Sequence, residues 1–120
     1  MTSKELNLKL INNFPEIIDT YNEEISWQDG NDTGSHVIYA DVFVPFIKEN
    51  ISKGNEQVLI KSFDFLETLL NINDEYVNEV IAFSVIESFL FDDEPDIRSF
   101  IKFIKPKTME IIKEIISTIN

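Results

Sequence analysis

Apolar residues recur along most of the chain at the three- and four-residue intervals of an α-helix. The spacing is clearest in two stripes, Leu59, Phe63, Leu66 and Leu70, and later Thr108, Ile111, Ile112, Ile115, Ile116 and Ile119. Residues three and four apart share one helix face, so each stripe marks a face that packs against a neighbour. We therefore predict an all-α fold: a single domain over residues 1–120 of about six antiparallel helices, forming stacked helical hairpins or an irregular bundle.

Polar and proline-containing segments divide the pattern into helices. Residues 28–35 contain no apolar side chain and predict a loop, with Ser35 as the N-cap of the next helix. Pro45 predicts a kink or an early stop in that helix. Asn73 or Asp74 is expected to cap a later helix.

Two segments in the second half of the chain have different apolar patterns. Residues 76–91 are apolar on most sides, which predicts a helix in the middle of the fold. A further helix is expected to run through Ile97, Phe100, Ile101 and Ile104 before Pro106 breaks the chain.

The chain is strongly acidic. It has ten basic and twenty-two acidic residues, a net charge of −12 and a pI of about 4.3, while 43% of its residues are hydrophobic. Residues 98–120 hold five basic and two acidic side chains, so the acid is concentrated in residues 1–97. Such a surface repels nucleic acid and anionic membranes, and attracts basic partners across about 8 Å at physiological salt. We expect a basic protein partner, with no nucleic acid and no membrane.

Composition also limits the compartment. The chain has no cysteine, which excludes disulfides and thiolate metal sites and fits a reducing compartment. Its first residues show no apolar leader, and no apolar run reaches the roughly 18 residues of a transmembrane helix. We expect a cytoplasmic protein.

Catalytic and metal-binding residue patterns are weak. His36 is the one histidine, and we interpret it as an ordinary first-turn helix residue. The segment from Asp29 to Gly34 resembles the start of a calcium loop, but Ala40 stands where the bidentate glutamate is needed. A glycosidase uses a pair of carboxylates, but nothing in the sequence distinguishes adjacent acids such as Glu23 and Glu24 from carboxylates exposed to solvent. We predict no enzymatic activity, no catalytic residue, no metal and no cofactor.

The acidic loops are the candidate binding surface. If helices alternate in direction, loops 28–35 and 72–75 lie at one end of the molecule and loop 92–96 at the other. The predicted partner-binding residues are a first acidic rim of Asp29, Asp32, Asp74 and Glu75 with Trp27 as an aromatic anchor, and a second acidic rim of Asp92, Asp93, Glu94 and Asp96. Such carboxylates mimic a phosphate backbone and fit the basic groove of a nuclease.

Three segments carry a family resemblance: HVIYADVFVPFIKENI (36–51), LIKSFDFLETLLNIND (59–74) and YVNEVIAFSVIESFLFDD (76–93). They resemble small, acidic, helical bacterial proteins that are similar to immunity proteins of polymorphic toxin systems, including contact-dependent growth inhibition. The resemblance covers residues 15–93. It implies an antitoxin that binds a cognate toxin domain, as a monomer or in a 1:1 complex, and it assigns no individual binding residue.

Three functions remain open at this point. The first is an immunity protein that occludes the active site of a basic toxin, such as a nuclease, sterically and electrostatically. The alternative is a general helical interaction or scaffold module that uses an apolar groove between helices. The third is a carboxylate-dependent hydrolase, which the sequence favours least.

Overall fold

The computed structural model describes residues 1–119 and confirms the all-α prediction. Within this range the helices are α1 (Ser3–Asn13), α2 (Ile18–Ser26), α3 (35–52), α4 (Glu56–Leu70), α5 (75–91) and α6 (Pro106–Ile119), with a 3₁₀ turn (Pro15–Ile17) leading into α2. One contiguous hydrophobic core takes residues from all six, so they form a single domain. None of these helices is both long and apolar enough to cross a bilayer.

Helices α3 and α5 each contain a π-helical stretch between two α-helical ones. The stretches are Tyr39–Phe43 in α3 and Val80–Ile86 in α5. Pro45 follows the first stretch closely and has no amide hydrogen to donate to the preceding turn. The widened turn accommodates this missing bond, and α3 continues to Ser52. The early stop expected at Pro45 therefore does not occur.

The helix N-termini confirm one predicted cap and correct another. Asp74 caps α5, because its Oδ1 accepts a hydrogen bond from the backbone N–H of Val77 at 3.1 Å. At α3 the N-cap is Gly34, and Ser35 is the first helical residue. The Ser35 hydroxyl donates to Asn7 Oδ1 at 2.8 Å, so it connects α3 to α1 and does not cap its own helix.

Two groups of phenylalanines join the helices. Phe14, at the junction of α1 and α2, has its ring centroid 5.1 Å from Phe43 in α3 and 5.4 Å from Phe65 in α4. Phe63 of α4 stacks on Phe100 at 5.8 Å with an interplanar angle of 5°. The second pair fixes the segment after α5 against the core.

The helix predicted through Ile97 and Ile104 is absent. The segment contains two 3₁₀ turns, Ile97–Ser99 and Ile101–Phe103, separated at Phe100, whose φ of −133° is not helical. Phe100 is buried, and Ile97 and Ile104 pack against the core partly buried, whereas Ile101 is 44% exposed. Lys102 and Lys105 pair with Glu56 and Asp64 of α4, which holds the segment along that helix.

Candidate protein-interaction surface

The start of α6 is positioned by a side chain of α4. The carboxylate of Glu67 accepts hydrogen bonds from the backbone N–H groups of Lys107 at 2.8 Å and Thr108 at 3.1 Å, and from the Thr108 hydroxyl at 3.1 Å. These N–H groups are the ones that a helix leaves without an internal partner at its N-terminus. A negative group is also favoured there by the helix dipole. Glu67 therefore holds the N-terminus of α6 against α4.

The apolar stripe of α6 is only partly covered by the rest of the domain. Thr108 and Ile112 are buried. Ile111 and Ile115 are half-buried, whereas Ile119 in the last turn is 60% exposed. The stripe is therefore wider than its contact with the core, and a strip of isoleucine side chains remains on the surface.

A groove runs between α5 and α6 where this stripe meets α5. It has a volume of about 630 Å³, and its apolar lining consists of Leu70, Ala82, Phe83, Ile111 and Ile115. Phe83 is 56% exposed, although it belongs to the helix that the sequence places in the middle of the fold. We call this surface the α5–α6 groove. Exposed aromatic and aliphatic side chains in a concave surface are typical of protein-binding sites.

Four glutamates line the same groove, two from each helix: Glu75, Glu79, Glu110 and Glu114. We call them the groove carboxylates. All four are exposed, and none forms an ion pair with a cation of residues 1–119. Lys107 is the single basic residue among the lining side chains. Each wall of the groove therefore carries two carboxylates together with apolar side chains, and the groove has a strong negative charge.

Asn78 also lines the groove and has an unmet hydrogen-bonding requirement. Its side-chain Oδ1 is buried and has no hydrogen-bond donor within the described part of the chain. Most buried polar side-chain atoms in folded proteins have at least one partner. Asn78 Oδ1 is thus a buried acceptor without a partner, in a residue that lines the groove.

Residues 7–119 match a family model described as a domain of unknown function, DUF7674. The chain belongs to this family. No curated protein and no solved structure matches it. Both walls of the α5–α6 groove lie inside the matched range, so the groove is part of the DUF7674 domain.

The structure brings the loops of the first acidic rim to the same end of the DUF7674 domain, as predicted. Tyr76, at the start of α5, has its hydroxyl oxygen 2.6 Å from Ser3 Oγ and accepts the backbone N–H of Ser35 at 3.2 Å. Asp74, however, forms an ion pair with the amino group of Met1 at 2.5 Å. Hydrogen bonds from that ammonium and from the Val77 N–H lower the pKa of Asp74. Asp74 is thus engaged internally, and of this rim only Glu75 lines the groove.

The other first-rim residues lie in the loop between α2 and α3. Trp27 is 67% exposed, and Asp29 and Asp32 are exposed without an ion pair among residues 1–119. Two oxygens of the partial calcium motif already have hydrogen-bond partners. Asn31 Oδ1 accepts the Tyr21 hydroxyl at 2.7 Å, and the Thr33 hydroxyl donates to the Gly30 carbonyl at 2.6 Å. Over residues 1–119 no three metal-ligating side chains converge.

The second acidic rim loses two of its four carboxylates to ion pairs. Asp92 pairs with Lys48 of α3. Asp96 pairs with Arg98 at 2.7 Å, and the hydrogen bonds from Arg98 lower the pKa of Asp96 to about 2. Asp93 and Glu94 are exposed and have no ion pair in the described range. These two residues are what remains of the predicted second rim.

His36 makes a contact that the sequence did not indicate. Its Nδ1 lies 2.9 Å from Ser84 Oγ, and its ring packs edge-on against Tyr76 with centroids 5.8 Å apart. A serine nucleophile needs a histidine that is itself oriented by a third group, beside a pocket for the substrate. Neither His36 nor Ser84 lines the α5–α6 groove or either of two further concave surfaces, one around Phe100 and one around Ile60. The contact is a helix–helix hydrogen bond between α3 and α5.

Proposed function

We propose that this DUF7674 domain is a non-enzymatic immunity protein that binds a basic bacterial toxin domain and blocks its active site. The observation that carries the proposal is the α5–α6 groove, where exposed apolar side chains lie beside four carboxylates that form no ion pair within residues 1–119. Apolar contact supplies affinity, and the carboxylates supply attraction for a basic surface.

The charge of the domain is largely uncompensated. Within residues 1–119, six of the twenty-two carboxylates form ion pairs with a cationic group. The basic C-terminal part of the chain offsets little of this charge, because Arg98, Lys102 and Lys105 pair with only three of the twenty acidic side chains of residues 1–97. The remaining field attracts a cationic protein and accelerates its association.

An acidic surface of this kind suits an inhibitor of a nucleic-acid-cleaving or other cation-lined enzyme. Nucleases hold phosphate groups with lysine and arginine side chains. Carboxylates placed against those side chains compete with the substrate for the same positive charges. Inhibition then needs no chemistry from the inhibitor, only an interface that covers the toxin's basic site.

The proposal predicts that a toxic domain is encoded beside the gene for this chain, and that domain is the partner used in the test. We expect a 1:1 complex with a Kd of about a nanomolar or less by isothermal titration, and loss of toxin activity in the complex. The association rate should fall steeply between low and physiological salt, because screening weakens the attraction. Absence of binding, or binding that leaves the toxin fully active, would contradict the proposal.

A second candidate function is a general helical interaction module that uses the apolar part of the same groove. The exposed Phe83 and the uncovered isoleucine strip favour it. In that case binding of an amphipathic peptide would be insensitive to salt, since apolar contact would dominate. Strong salt dependence favours the immunity role.

A further inference from the structure

We infer that the α5–α6 groove receives a single basic amphipathic α-helix of the partner protein. The inference rests on the proposed function and names the structural element of the partner that fills the site. The partner helix would carry apolar residues along one stripe and lysine or arginine on both sides of that stripe.

The shape of the groove is the first argument. Both walls are helices, and each wall presents side chains one turn apart: Glu79 and Phe83 on α5, and Ile111 and Ile115 on α6. A third helix laid between two others packs its side-chain ridges into the grooves that such rows form. An amphipathic helix contacts a groove of this type through residues spaced three, four and seven apart.

The arrangement of charge is the second argument. Glu75 and Glu79 stand one turn apart on α5, and Glu110 and Glu114 stand one turn apart on α6. Both walls of the groove therefore present carboxylates beside their apolar side chains. A neutral helix would bury or crowd these charges without compensation, which is costly. A helix with cationic residues on both flanks gives each row an opposite charge.

The same charges disfavour a second copy of this chain as the occupant. In a two-fold symmetric dimer through the groove, both partners would contribute the same four carboxylates. With one lysine against four glutamates on each lining surface, the contact would bring like charges together. A basic partner removes this repulsion.

The probe is a fluorescein-labelled peptide of leucine and lysine, about 18 residues or 27 Å of helix, with its leucines on one face. Its control is a peptide of identical composition whose order destroys the apolar face. Two variants test the location. Phe83→Ser alters the groove, and Phe91→Ser is the matched control, because Phe91 lies on the same helix with 53% exposure but does not line the groove.

We expect fluorescence anisotropy to show binding of the amphipathic peptide at physiological salt. Phe83→Ser should weaken it about tenfold, as loss of an aromatic anchor does, while Phe91→Ser should leave it unchanged. The reordered peptide should bind at least about tenfold more weakly than the amphipathic one. Both variants should retain the wild-type thermal unfolding midpoint, since both side chains are more than half exposed.

Equal affinity for the two peptides, or equal effects of the two serine variants, would overturn the inference. So would a wild-type dimer in sedimentation equilibrium that Phe83→Ser dissociates, since the occupant would then be a second copy.

The toxin assay separates this inference from the proposed function. If Phe83→Ser neutralises the toxin as well as wild type, the helix-docking inference fails and the immunity role stands. If wild type binds the peptide but not the toxin, the immunity role fails instead.

Discussion

Two hydrogen bonds between Glu67 and Thr108 connect α4 to α6. Glu67 Oε1 accepts both the backbone N–H and the side-chain hydroxyl of Thr108, each at 3.1 Å. Thr108 is buried, so this contact lies at the edge of the core and not on the open surface. The N-terminus of α6 is thus capped from another helix. Because α6 forms one wall of the α5–α6 groove, the same contact positions the candidate binding surface.

Replacing Glu67 should destabilise the domain. Glu67→Ala leaves the N–H groups of Lys107 and Thr108 without their acceptor, and we expect a loss of about 1–2 kcal/mol in the free energy of unfolding. Urea denaturation measures this. The control is Asp64→Ala on the same helix, which removes only an exposed ion pair with Lys105 and should cost about 0–1 kcal/mol. Equal losses in the two variants would show that Glu67 is no more than a surface charge.

The phenylalanine at the α1–α2 junction should matter far more for stability than the one in the groove. Phe14 is fully buried between α3 and α4, and Phe14→Ala should cost about 3–5 kcal/mol through lost burial and the cavity left behind. Phe83→Ala should change stability by about 0.5 kcal/mol or less, because its ring is mostly exposed. If Phe83→Ala lowers the free energy of unfolding by several kcal/mol, Phe83 contributes to the stability of the fold. Its exposure would then not indicate a binding role.

The pKa of Asp96 should depend on Arg98. Hydrogen bonds from the guanidinium and from the Arg98 backbone N–H hold the pKa of Asp96 at about 2, below its ordinary 3.8. Because the folded-state pKa is the lower one, this pair favours folding above about pH 4 and the contribution is lost as the pH falls toward 2. In Arg98→Gln we expect the pKa to rise yet stay below 3.8, since the backbone N–H remains. Carboxyl NMR titration would show no change if the guanidinium were not in contact.

Two asparagines should respond oppositely to replacement by leucine. Asn78 has a buried Oδ1 without a partner, so Asn78→Leu should stabilise the domain by about 1 kcal/mol. Asn7 is fully buried, donates to the Thr33 carbonyl at 2.7 Å and accepts the Ser35 hydroxyl. Asn7→Leu leaves those groups unpaired and should destabilise by about 2 kcal/mol or more. Thermal and urea unfolding of both variants check the signs, and destabilisation by Asn78→Leu would show that its amide is satisfied in solution.

Much of the fold follows from periodicity and capping chemistry in the sequence. The spacing of Leu59, Phe63 and Leu66 predicts the face that α4 buries, and all three are buried. The polar run before Glu75 predicts a cap, which Asp74 supplies. By contrast, the spacing of Ile97, Phe100 and Ile104 predicts a helix that does not form. These residues pack against the core with a non-helical backbone at Phe100, and the tertiary contacts override the local pattern.

The candidate site was less accessible from the sequence. A pattern shows which residues share a face, but it does not show what covers that face, so the exposed edge of α6 was missed. The sequence pattern predicts binding residues among the acids in loops. Three of these, Asp74, Asp92 and Asp96, form ion pairs within the domain. It missed three of the groove carboxylates, Glu79, Glu110 and Glu114, which lie within helices. Their signal was the four-residue spacing of acids beside apolar positions on α5 and α6.

We propose that the groove carboxylates, and not the acidic side chains elsewhere on the domain, contact the basic partner. Two variants with equal loss of charge test it: neutral amides at Glu75, Glu79, Glu110 and Glu114, or at Glu16, Asp19, Glu23 and Glu24 in and just before α2. The measurement is the association rate with the toxin domain at physiological salt. We predict a decrease of about tenfold or more for the groove variant and little change for the α2 variant. Equal rates for the two variants would contradict the claim.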